Sequence, residues 1–334
     1  MSRKMTLLVA IVALVLIAAP APASGRSAND PTKGSPHNNK DFAGLVDIGG
    51  DRKMYMECRG KGSPTVVFVS GAGDRTETWS RTLDPSEQAV LPAIAETNRV
   101  CAYDRPGTYL VVGEEDFEPS RSDPVPQPTT LQDAVADLHA LLSASGERGP
   151  YVVVGHSMGG AISRLYTSEY PQDVSGLVLV DYTPYEARTA LTDEQWGYWK
   201  VLLGSPSEEA LALYPDLERF DHQRNLEQVL AAAPLWPMPL IVLSSDEPYD
   251  LTPFVDDGTL PADVADEFGV FLFRAILEAR ADLVSQVPGA RHITDTDSGH
   301  YIHQEQPQLV IGSVREVVEA ARKKACALGT KNHG

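Results

Sequence analysis

The sequence is poor in cysteine and in basic residues, and it has no long hydrophobic run. Its 334 residues include 3 cysteines, and 28 lysines and arginines stand against 46 aspartates and glutamates. Such an acidic chain repels phosphate backbones and anionic lipids, which argues against nucleic acid as a partner. The unbroken apolar run at residues 7–19 is too short to span a bilayer, so we expect no stable membrane anchor.

Motifs for metal chemistry are also missing from the sequence. No spacing of histidines and acidic residues of the H-E-x-x-H kind occurs, which argues against a metallohydrolase. We therefore expect neither a metal ion nor another cofactor.

The first 23 residues have the three parts of a secretory signal peptide. Arg3 and Lys4 precede the apolar run, and residues 21–23 read Ala-Pro-Ala, which fits an A-x-A cleavage site. Residues 24–41 are almost free of apolar side chains, and we expect a flexible N-terminal segment there. The pattern predicts a secreted protein that is cleaved near Ala23.

Residues 150–160 carry the most informative pattern of the chain. An apolar run at residues 151–154 precedes Gly-His-Ser-Met-Gly, which fits G-x-S-x-G, and apolar residues then recur at helical spacing. A strand, a sharp turn and a helix in this order are the context of a nucleophile elbow. Such a turn exposes the hydroxyl of Ser157 at a helix N-terminus, where negative charge is stabilised.

Apolar strands and amphipathic helices alternate along the rest of the chain. This alternation is typical of a mainly parallel sheet covered by helices on both faces. We expect that α/β core over residues 42–182 and 237–328, and we interpret residues 183–236 as a helical cap. Residues 108–130 are rich in acidic residues, proline and serine, and they predict a long surface loop.

Turns with polar residues or glycine follow the predicted strands at their carboxyl ends, where ligands bind in such sheets. These turns contain Gly71, Ala72, Asp104, Ser157, Asp181, Asp246 and His300. We expect these residues to meet at one rim of the sheet.

Five segments together are similar to the α/β-hydrolase superfamily. They read TVVFVSGAG, RVCAYDRPG, VVVGHSMGG, GLVLVDYTP and SGHYIHQEQPQLV, in the order in which the family carries them. The resemblance implies an α/β-hydrolase fold, with a mainly parallel eight-stranded sheet and a small helical cap inserted after strand 6. It also implies a catalytic triad whose members follow each other as serine, acid and histidine.

By this resemblance Ser157 is the nucleophile, and His300 is the general base that accepts its proton. His303 lies three residues further on and is the alternative base, although we expect it at the polar rim. His156 should leave the elbow in another direction and pack, or line the pocket.

The acid of the triad is open between two aspartates. Asp246 follows the penultimate strand, where the superfamily usually carries the acid, and we prefer it. The sequence Ser244-Ser245-Asp246 departs from the family's usual G-x-x-D pattern, however. Asp181, after the preceding strand, is therefore the alternative acid, whereas Asp104 precedes the serine and is expected to be structural.

The resemblance also implies an oxyanion hole built from two backbone N–H groups. They belong to Met158, after the nucleophile, and to Ala72, in the loop after the third strand. Many relatives carry His-Gly in that loop, whereas this chain has Ser70-Gly71. Because the donors are backbone groups, we expect the hole to persist.

The family's sheet order places the strand with Cys58 antiparallel beside the strand with Cys101. Secreted proteins mature in an oxidising compartment, where such neighbours form disulfides. We therefore predict a Cys58–Cys101 disulfide, with Cys326 left over.

These observations predict a secreted serine hydrolase that cleaves carboxylic esters through an acyl-enzyme. Its partner would be a small-molecule ester with an apolar group. Amide, thioester and carbon–carbon-bond cleavage and acyl transfer stay open, because the same machinery serves all of them. A ligand-binding protein on a hydrolase scaffold, with little turnover, is the alternative from another functional class.

Overall fold

The computed structural model of the protein describes residues 40–112, 116–204, 206–256 and 258–331. The predicted signal peptide and residues 24–39 of the predicted flexible segment lie outside these ranges. Among the described helices, none is long and apolar enough to cross a membrane.

The strands form one eight-stranded sheet and a separate hairpin. In chain order they are β1 (Phe42–Gly49), β2 (Arg52–Arg59), β3 (Val66–Val69), β4 (Val100–Tyr103), β5 (Tyr109–Val112), β6 (Asp116–Pro119), β7 (Tyr151–His156), β8 (Val174–Val180), β9 (Leu240–Leu243) and β10 (Arg291–Ile293). The sheet order is β1-β2-β4-β3-β7-β8-β9-β10. β2 pairs antiparallel with β1 and β4, and all other neighbours in the sheet pair parallel. The predicted mainly parallel eight-stranded sheet is confirmed.

Helices cover both faces of this sheet. They are α1 (Val90–Ala95), α2 (Leu131–Ser145), α3 (Met158–Glu169), α4 (Asp193–Leu202), α5 (Glu208–Leu213), α6 (His222–Ala231), α7 (Thr252–Asp256), α8 (Ala262–Gln286), α9 (Ile302–Glu305) and α10 (Pro307–Lys331). Short 3-10 helices span Thr76–Ser80 and Tyr185–Ala190. α2, α3 and α8 pack on one face of the sheet, and α1 and α10 pack on the other.

Alternate side chains of the central strands enter two separate hydrophobic cores. In β3, Val67 and Val69 belong to the core under α2 and α3, whereas Val66 and Phe68 belong to the core under α1 and α10. All four side chains are completely buried. Burial on both faces explains why these strands are apolar throughout instead of alternating with polar residues.

The segment predicted as a surface loop, residues 108–130, contains the β5–β6 hairpin, and that prediction was wrong. β5 and β6 pair antiparallel, and the Tyr109 and Phe117 rings meet edge to face with centroids 5.2 Å apart. The Tyr109 N–H donates to the Gly73 carbonyl at 2.7 Å, which ties the hairpin to the loop after β3. The acidic residues and prolines around β5 conceal its run of aromatic and β-branched residues, which favours a strand.

Residues 183–236, here called the β8–β9 segment, contain the second 3-10 helix and α4–α6. Trp196 and Trp199 of α4 are buried against each other, with centroids 5.4 Å apart, and both rings also contact Tyr185. The side chain of Asn225 in α6 accepts a hydrogen bond from the Leu131 N–H at 2.8 Å. The tryptophans thus pack within the segment, while Asn225 attaches it to the start of α2.

Cys58 and Cys101 are joined by a disulfide, as the family's sheet order implied. The two residues face each other in the antiparallel β2–β4 pair, with Cα atoms 4.1 Å apart. Glu147 lies close to both sulfurs and would complete a cluster of metal-ligating atoms, but the sulfurs are bonded to each other. Cys326 lies exposed in α10.

Replacing Cys58 and Cys101 together by alanine should lower the free energy of unfolding by at most about 4 kcal/mol. The disulfide closes a loop with a sequence separation of 43, and restricting that loop in the unfolded chain gives this magnitude. Urea unfolding of the unmodified and doubly substituted proteins measures the difference. Peptide mapping without reductant that finds both thiols alkylated would contradict the disulfide.

Candidate active site

The G-x-S-x-G motif forms a sharp turn between β7 and α3. Ser157 occupies this turn with φ 53° and ψ −123°, a conformation that costs a non-glycine residue on the order of 1–3 kcal/mol. Its N–H donates to the Val180 carbonyl at 3.1 Å, and its own carbonyl accepts the Gly160 N–H at 3.0 Å. The backbone thus holds Ser157 between two elements in the strained conformation of a nucleophile elbow.

The glycines on either side of Ser157 permit close contacts that a side chain would prevent. A Cβ atom on Gly155 would lie 2.4 Å from the Ser163 Oγ, and one on Gly159 would lie 2.2 Å from the Ser70 carbonyl oxygen. α3 therefore packs directly against the loop after β3. This contact brings the start of α3, directly after Ser157, next to the loop that carries the predicted oxyanion donor Ala72.

His300 hydrogen-bonds to Asp181 and leaves its second ring nitrogen available. Its Nδ1 lies 2.6 Å from the Asp181 Oδ2, and because a carboxylate only accepts, Nδ1 is the donor. A neutral imidazole with its proton on Nδ1 carries a lone pair on Nε2. The His300 side chain is 25% exposed, whereas Asp181 is completely buried. This arrangement suits His300 as a general base at the rim.

The carboxylate of Asp181 is held ionised by donors on both oxygens. Its Oδ1 accepts the Ser245 N–H at 2.8 Å and the Arg280 Nη1 at 2.5 Å. Burial alone would raise the pKa of Asp181, but the Arg280 charge and the His300 hydrogen bond hold it well below its ordinary value. Asp181 can therefore stabilise an imidazolium on His300 without taking up its proton.

Arg280 is a site residue that sequence reasoning missed. Its guanidinium is 1% exposed, and besides Asp181 it donates to the Tyr182 carbonyl from Nε at 3.0 Å and from Nη2 at 2.6 Å. In α8 it lies four residues after Ile276 and three before Leu283, and both of these are buried. An arginine on the buried face of an amphipathic helix needs an acidic partner. The position of Arg280 among apolar residues in the sequence of α8 could therefore have indicated a buried ion pair.

Asp246, the acid preferred from the sequence, does not contact His300, which corrects that preference. Its exposed carboxylate accepts the N–H groups of Asp297 at 2.9 Å and Ser298 at 3.0 Å. The Ser298 N–H contributes most to a pKa of Asp246 below its ordinary value. The Ser245 N–H, just after β9, donates to Asp181, whereas the next residue, Asp246, binds the loop that precedes His300.

His303 is buried instead of lying at the polar rim, which corrects the sequence-based expectation. Its Nε2 lies 3.0 Å from the Thr78 Oγ1, and its ring packs on Trp79 with centroids 4.6 Å apart. Burial lowers the pKa of His303 to about 3. These contacts make His303 part of the core and argue against the alternative that it is the base.

His156 supports the loop that carries His300. Its Nε2 donates to the His300 carbonyl at 2.9 Å, and the two rings lie 4.6 Å apart. Burial, followed by the proximity of His303 and His300, lowers the pKa of His156 well below its ordinary value. A neutral, buried His156 packs against His300, as expected from the sequence.

Among the described residues, the partners of Asp104 are groups that hold loops in place. Its carboxylate accepts Arg121 Nε at 2.6 Å and Nη2 at 2.9 Å, and it also accepts the Thr76 N–H at 3.1 Å. The side chain is completely buried at the end of β4. It therefore fixes the loops around the site, as expected from its position before the serine.

The loop after β3 brings Gly71 directly against Ser157. A Cβ atom on Gly71 would lie 3.3 Å from the Ser157 Cβ and 3.0 Å from the His156 Nδ1. The next residue, Ala72, and the first residue of α3, Met158, are the predicted oxyanion donors. The N–H of a first helical residue has no partner within its helix, so Met158 can donate to a ligand.

Asp74 places a carboxyl group near the same point. The hypothetical Cβ of Gly71 would lie 3.3 Å from its Oδ2 as well. Burial raises the pKa of Asp74 to about 6, although the charges of Arg105 and His300 oppose this shift. The group is therefore partly protonated in mildly acidic solution.

Replacing Asp74 by asparagine should change how stability depends on pH. Between about pH 4 and pH 6 the folded protein keeps a proton on Asp74 that the unfolded chain has released. Relative to the variant, the unmodified protein should therefore lose free energy of unfolding, on the order of 2 kcal/mol, as the pH rises through this window. Urea unfolding of both proteins at pH 4.5 and pH 7 measures this; an equal pH dependence would contradict it.

Two tyrosines flank His300, and a cavity opens next to one of them. The ring centroids of Tyr249 and Tyr301 lie 5.5 Å and 5.4 Å from that of His300. The cavity has a volume of about 310 Å³. Its lining includes Pro248, Tyr249, Leu251, Val255 and Val270. It is the size of a small-ligand site.

Comparisons with known proteins agree with this architecture. A profile of the alpha/beta hydrolase family matches residues 66–312. The chain is 25% identical over 280 residues to the uncharacterized protein YqjL of Bacillus subtilis. The aligned region covers 81% of this chain and 89% of YqjL. It is also 25% identical over 193 residues to "Probable transporter efuK" of Hormonema carpetanum, covering 56% of this chain but only 25% of that protein.

Solved structures show the same fold at low sequence identity. Est816, described as an N-acyl homoserine lactone degrading enzyme, superposes with a TM-score of 0.51 at 18% identity, covering 82% of this chain and 100% of Est816. The family profile spans well over half of the chain and includes the elbow, Asp181 and His300. The chain therefore belongs to the alpha/beta hydrolase family.

Proposed function

We propose that the protein is a secreted serine hydrolase that cleaves carboxylic esters through an acyl-enzyme on Ser157. The observation that carries this proposal is the hydrogen bond from His300 to the buried carboxylate of Asp181. The His300 carbonyl is in turn bound by His156, the residue directly before the serine of the strained elbow. A serine hydroxyl becomes a strong nucleophile only when a base takes its proton. The Asp181 contact leaves the His300 Nε2 free for that role.

In the first half of the reaction, the Ser157 Oγ attacks the ester carbonyl carbon while the His300 Nε2 takes the hydroxyl proton. The resulting oxyanion would accept hydrogen bonds from the N–H groups of Ala72 and Met158. The bond to the alcohol oxygen then breaks, and His300 returns its proton to that oxygen. Throughout, Asp181 stabilises the positive imidazolium and keeps the ring oriented.

In the second half, water repeats the same steps on the acyl-enzyme. His300 takes a proton from the water, the hydroxide oxygen bonds to the acyl carbon, and Ser157 leaves with the proton from His300. The products are a carboxylic acid and the regenerated serine. Est816 is described as acting on a lactone, which is a cyclic ester, and this supports the choice of ester chemistry.

The proposal includes an apolar group on the substrate. The cavity has aliphatic lining residues, and Tyr249, which also lines it, has its ring 5.5 Å from that of His300; we propose that this cavity takes a short acyl or alcohol chain. The buried tryptophans pack within the β8–β9 segment and do not line that cavity. We propose that this segment acts as the cap over the site.

Secretion is part of the same proposal. The signal-peptide pattern of residues 1–23 supports it, and so does the disulfide, since disulfides persist mainly in oxidising compartments.

A fluorophosphonate probe tests the proposed function directly. We expect stoichiometric labelling of Ser157, identified by peptide mass spectrometry, together with hydrolysis of short-chain aryl esters that is lost in step with labelling. Protein unfolded in urea is the control and should not react, because activation of the hydroxyl depends on the fold. Folded protein that neither reacts nor hydrolyses any ester would leave the binding-protein alternative.

A further inference from the structure

A buried ion pair connects the β8–β9 segment to the core beside the candidate site. Arg105, in the loop after β4, donates from Nε to the Glu218 Oε1 at 2.7 Å and from Nη2 to the Oε2 at 2.9 Å. The side chains are 3% and 2% exposed. Such pairs are seldom needed for stability alone, because removing two charges from water costs as much as their attraction returns.

Both members of the pair also hold the loop that carries Ala72. Arg105 donates from Nη1 to the Ser70 carbonyl at 2.8 Å and from Nη2 to the Gly71 carbonyl at 2.6 Å. Glu218 accepts the Gly73 N–H at 2.7 Å. All three nitrogens of the guanidinium are thus in use, and the loop is bound through two acceptors and one donor.

These bonds determine the direction of the predicted oxyanion donor. In a planar trans peptide the carbonyl and the N–H point in opposite directions. Since Arg105 holds the carbonyl of the Gly71–Ala72 peptide, the Ala72 N–H must point away from Arg105. Gly71 itself lies against the Ser157 Cβ, so a rotation of this peptide would move the donor at the reacting centre.

We propose that the Arg105–Glu218 pair is a positioning device for the oxyanion hole, through which docking of the β8–β9 segment determines the rate of the chemical step. This inference rests on the proposed serine-hydrolase function. Glu218 belongs to the β8–β9 segment, whereas Arg105 and the loop groups that the pair binds belong to the core. The segment thereby acts on the transition state without touching the substrate at this point.

A second buried ion pair in the same protein provides a matched control. Arg99 donates to the Glu147 Oε1 from Nη2 at 2.8 Å and from Nε at 3.1 Å, and the side chains are 4% and 9% exposed. Arg99 precedes β4, whereas Arg105 follows it. The Arg99–Glu147 pair therefore lies at the amino ends of the parallel strands, opposite the ends that carry the site. Glu147→Gln therefore removes a comparable charge without touching the oxyanion loop.

The test compares Glu218→Gln with Glu147→Gln, using an aryl ester that the unmodified protein hydrolyses. Glu218→Gln should lower kcat on the order of 10- to 100-fold with KM changed less than about threefold, because a displaced donor affects mainly the transition state. Affinity for a boronic acid that mimics the tetrahedral intermediate should fall by the same factor as kcat/KM. Glu147→Gln should keep kcat within about twofold at a similar loss of thermal stability.

A double variant, Arg105→Met with Glu218→Met, separates positioning from folding. Apolar replacement of a buried ion pair commonly preserves stability, so this protein should remain folded while kcat stays low. Wild-type kcat in the folded double variant, or an equal loss of kcat in Glu147→Gln, would overturn the inference. An unmodified protein without ester turnover would instead refute the proposed function and the inference with it.

Discussion

Ser157→Ala is expected to lower kcat/KM for an aryl ester by about four to six orders of magnitude. The substitution removes the oxygen that forms the acyl-enzyme, and losses of this size follow removal of a triad nucleophile. The free energy of unfolding should barely change, because alanine keeps the strained backbone of the elbow. Steady-state kinetics and urea unfolding of the same preparation measure both quantities.

Ser157→Gly tests whether the backbone conformation at position 157 costs stability. Glycine adopts the φ of 53° without steric cost, so this variant should be inactive yet more stable by about 1 kcal/mol. Ser175→Ala is a matched control. The Ser175 hydroxyl donates to the Tyr151 carbonyl at the amino ends of β7 and β8, opposite the elbow. This variant should keep its activity. Turnover by Ser157→Ala close to that of the unmodified protein would contradict the assignment.

Asp181→Asn should lower kcat by about four orders of magnitude, whereas Asp246→Asn should keep most of the rate. An asparagine at position 181 can donate to His300, which favours the tautomer with its proton on the wrong nitrogen. At position 246 an asparagine keeps an acceptor for the loop N–H groups of Asp297 and Ser298. Kinetics of both variants with one aryl ester decide between the two aspartates.

Stability has to be measured alongside these rates. Asp181→Asn leaves the Arg280 charge buried without its partner, at a cost of about 3 kcal/mol, so kinetics should be recorded well below the midpoint of unfolding. Asp246 is exposed, and its replacement should cost less than about 1 kcal/mol. If Asp246→Asn lost as much activity as we expect for Asp181→Asn, the hydrogen bond to His300 would not define the acid.

The sheet and the elbow could be predicted because their signals are local. Residues 151–154 must be apolar because they are buried on both faces. Gly155 and Gly159 cannot be replaced by a residue with a side chain, because a Cβ atom would clash with neighbouring atoms. The disulfide followed as soon as the strand order was assumed, since Cys58 and Cys101 are then direct cross-strand neighbours.

The acid could not be predicted with the same certainty, because it depends on how two chain segments pass each other. The sequence places both Asp181 and Asp246 just after a strand. The hydrogen bond between the His300 Nδ1 and the Asp181 carboxylate shows which of the two contacts the histidine. A shift of two or three residues in the end of a strand is enough to change which aspartate reaches the histidine.

The Arg105–Glu218 pair lay beyond sequence reasoning for a related reason. Its members are 113 residues apart, and Glu218 lies in a segment whose position on the core no local pattern determines. His303 shows the opposite error: a histidine in a polar sequence lies in the core, because Thr78 and Trp79 of a distant 3-10 helix cover it.

The central claim is that the reaction passes through an ester bond to Ser157, and trapping this intermediate tests it most directly. The protein is mixed with a short-chain aryl ester, quenched in acid within the first turnover, digested and analysed by mass spectrometry. We expect one acyl group on the peptide that contains Ser157, formed at the rate of the initial burst of aryl alcohol. Rapid ester hydrolysis in which this peptide stays unmodified, or carries no more acyl group than in Ser157→Ala, would contradict the claim.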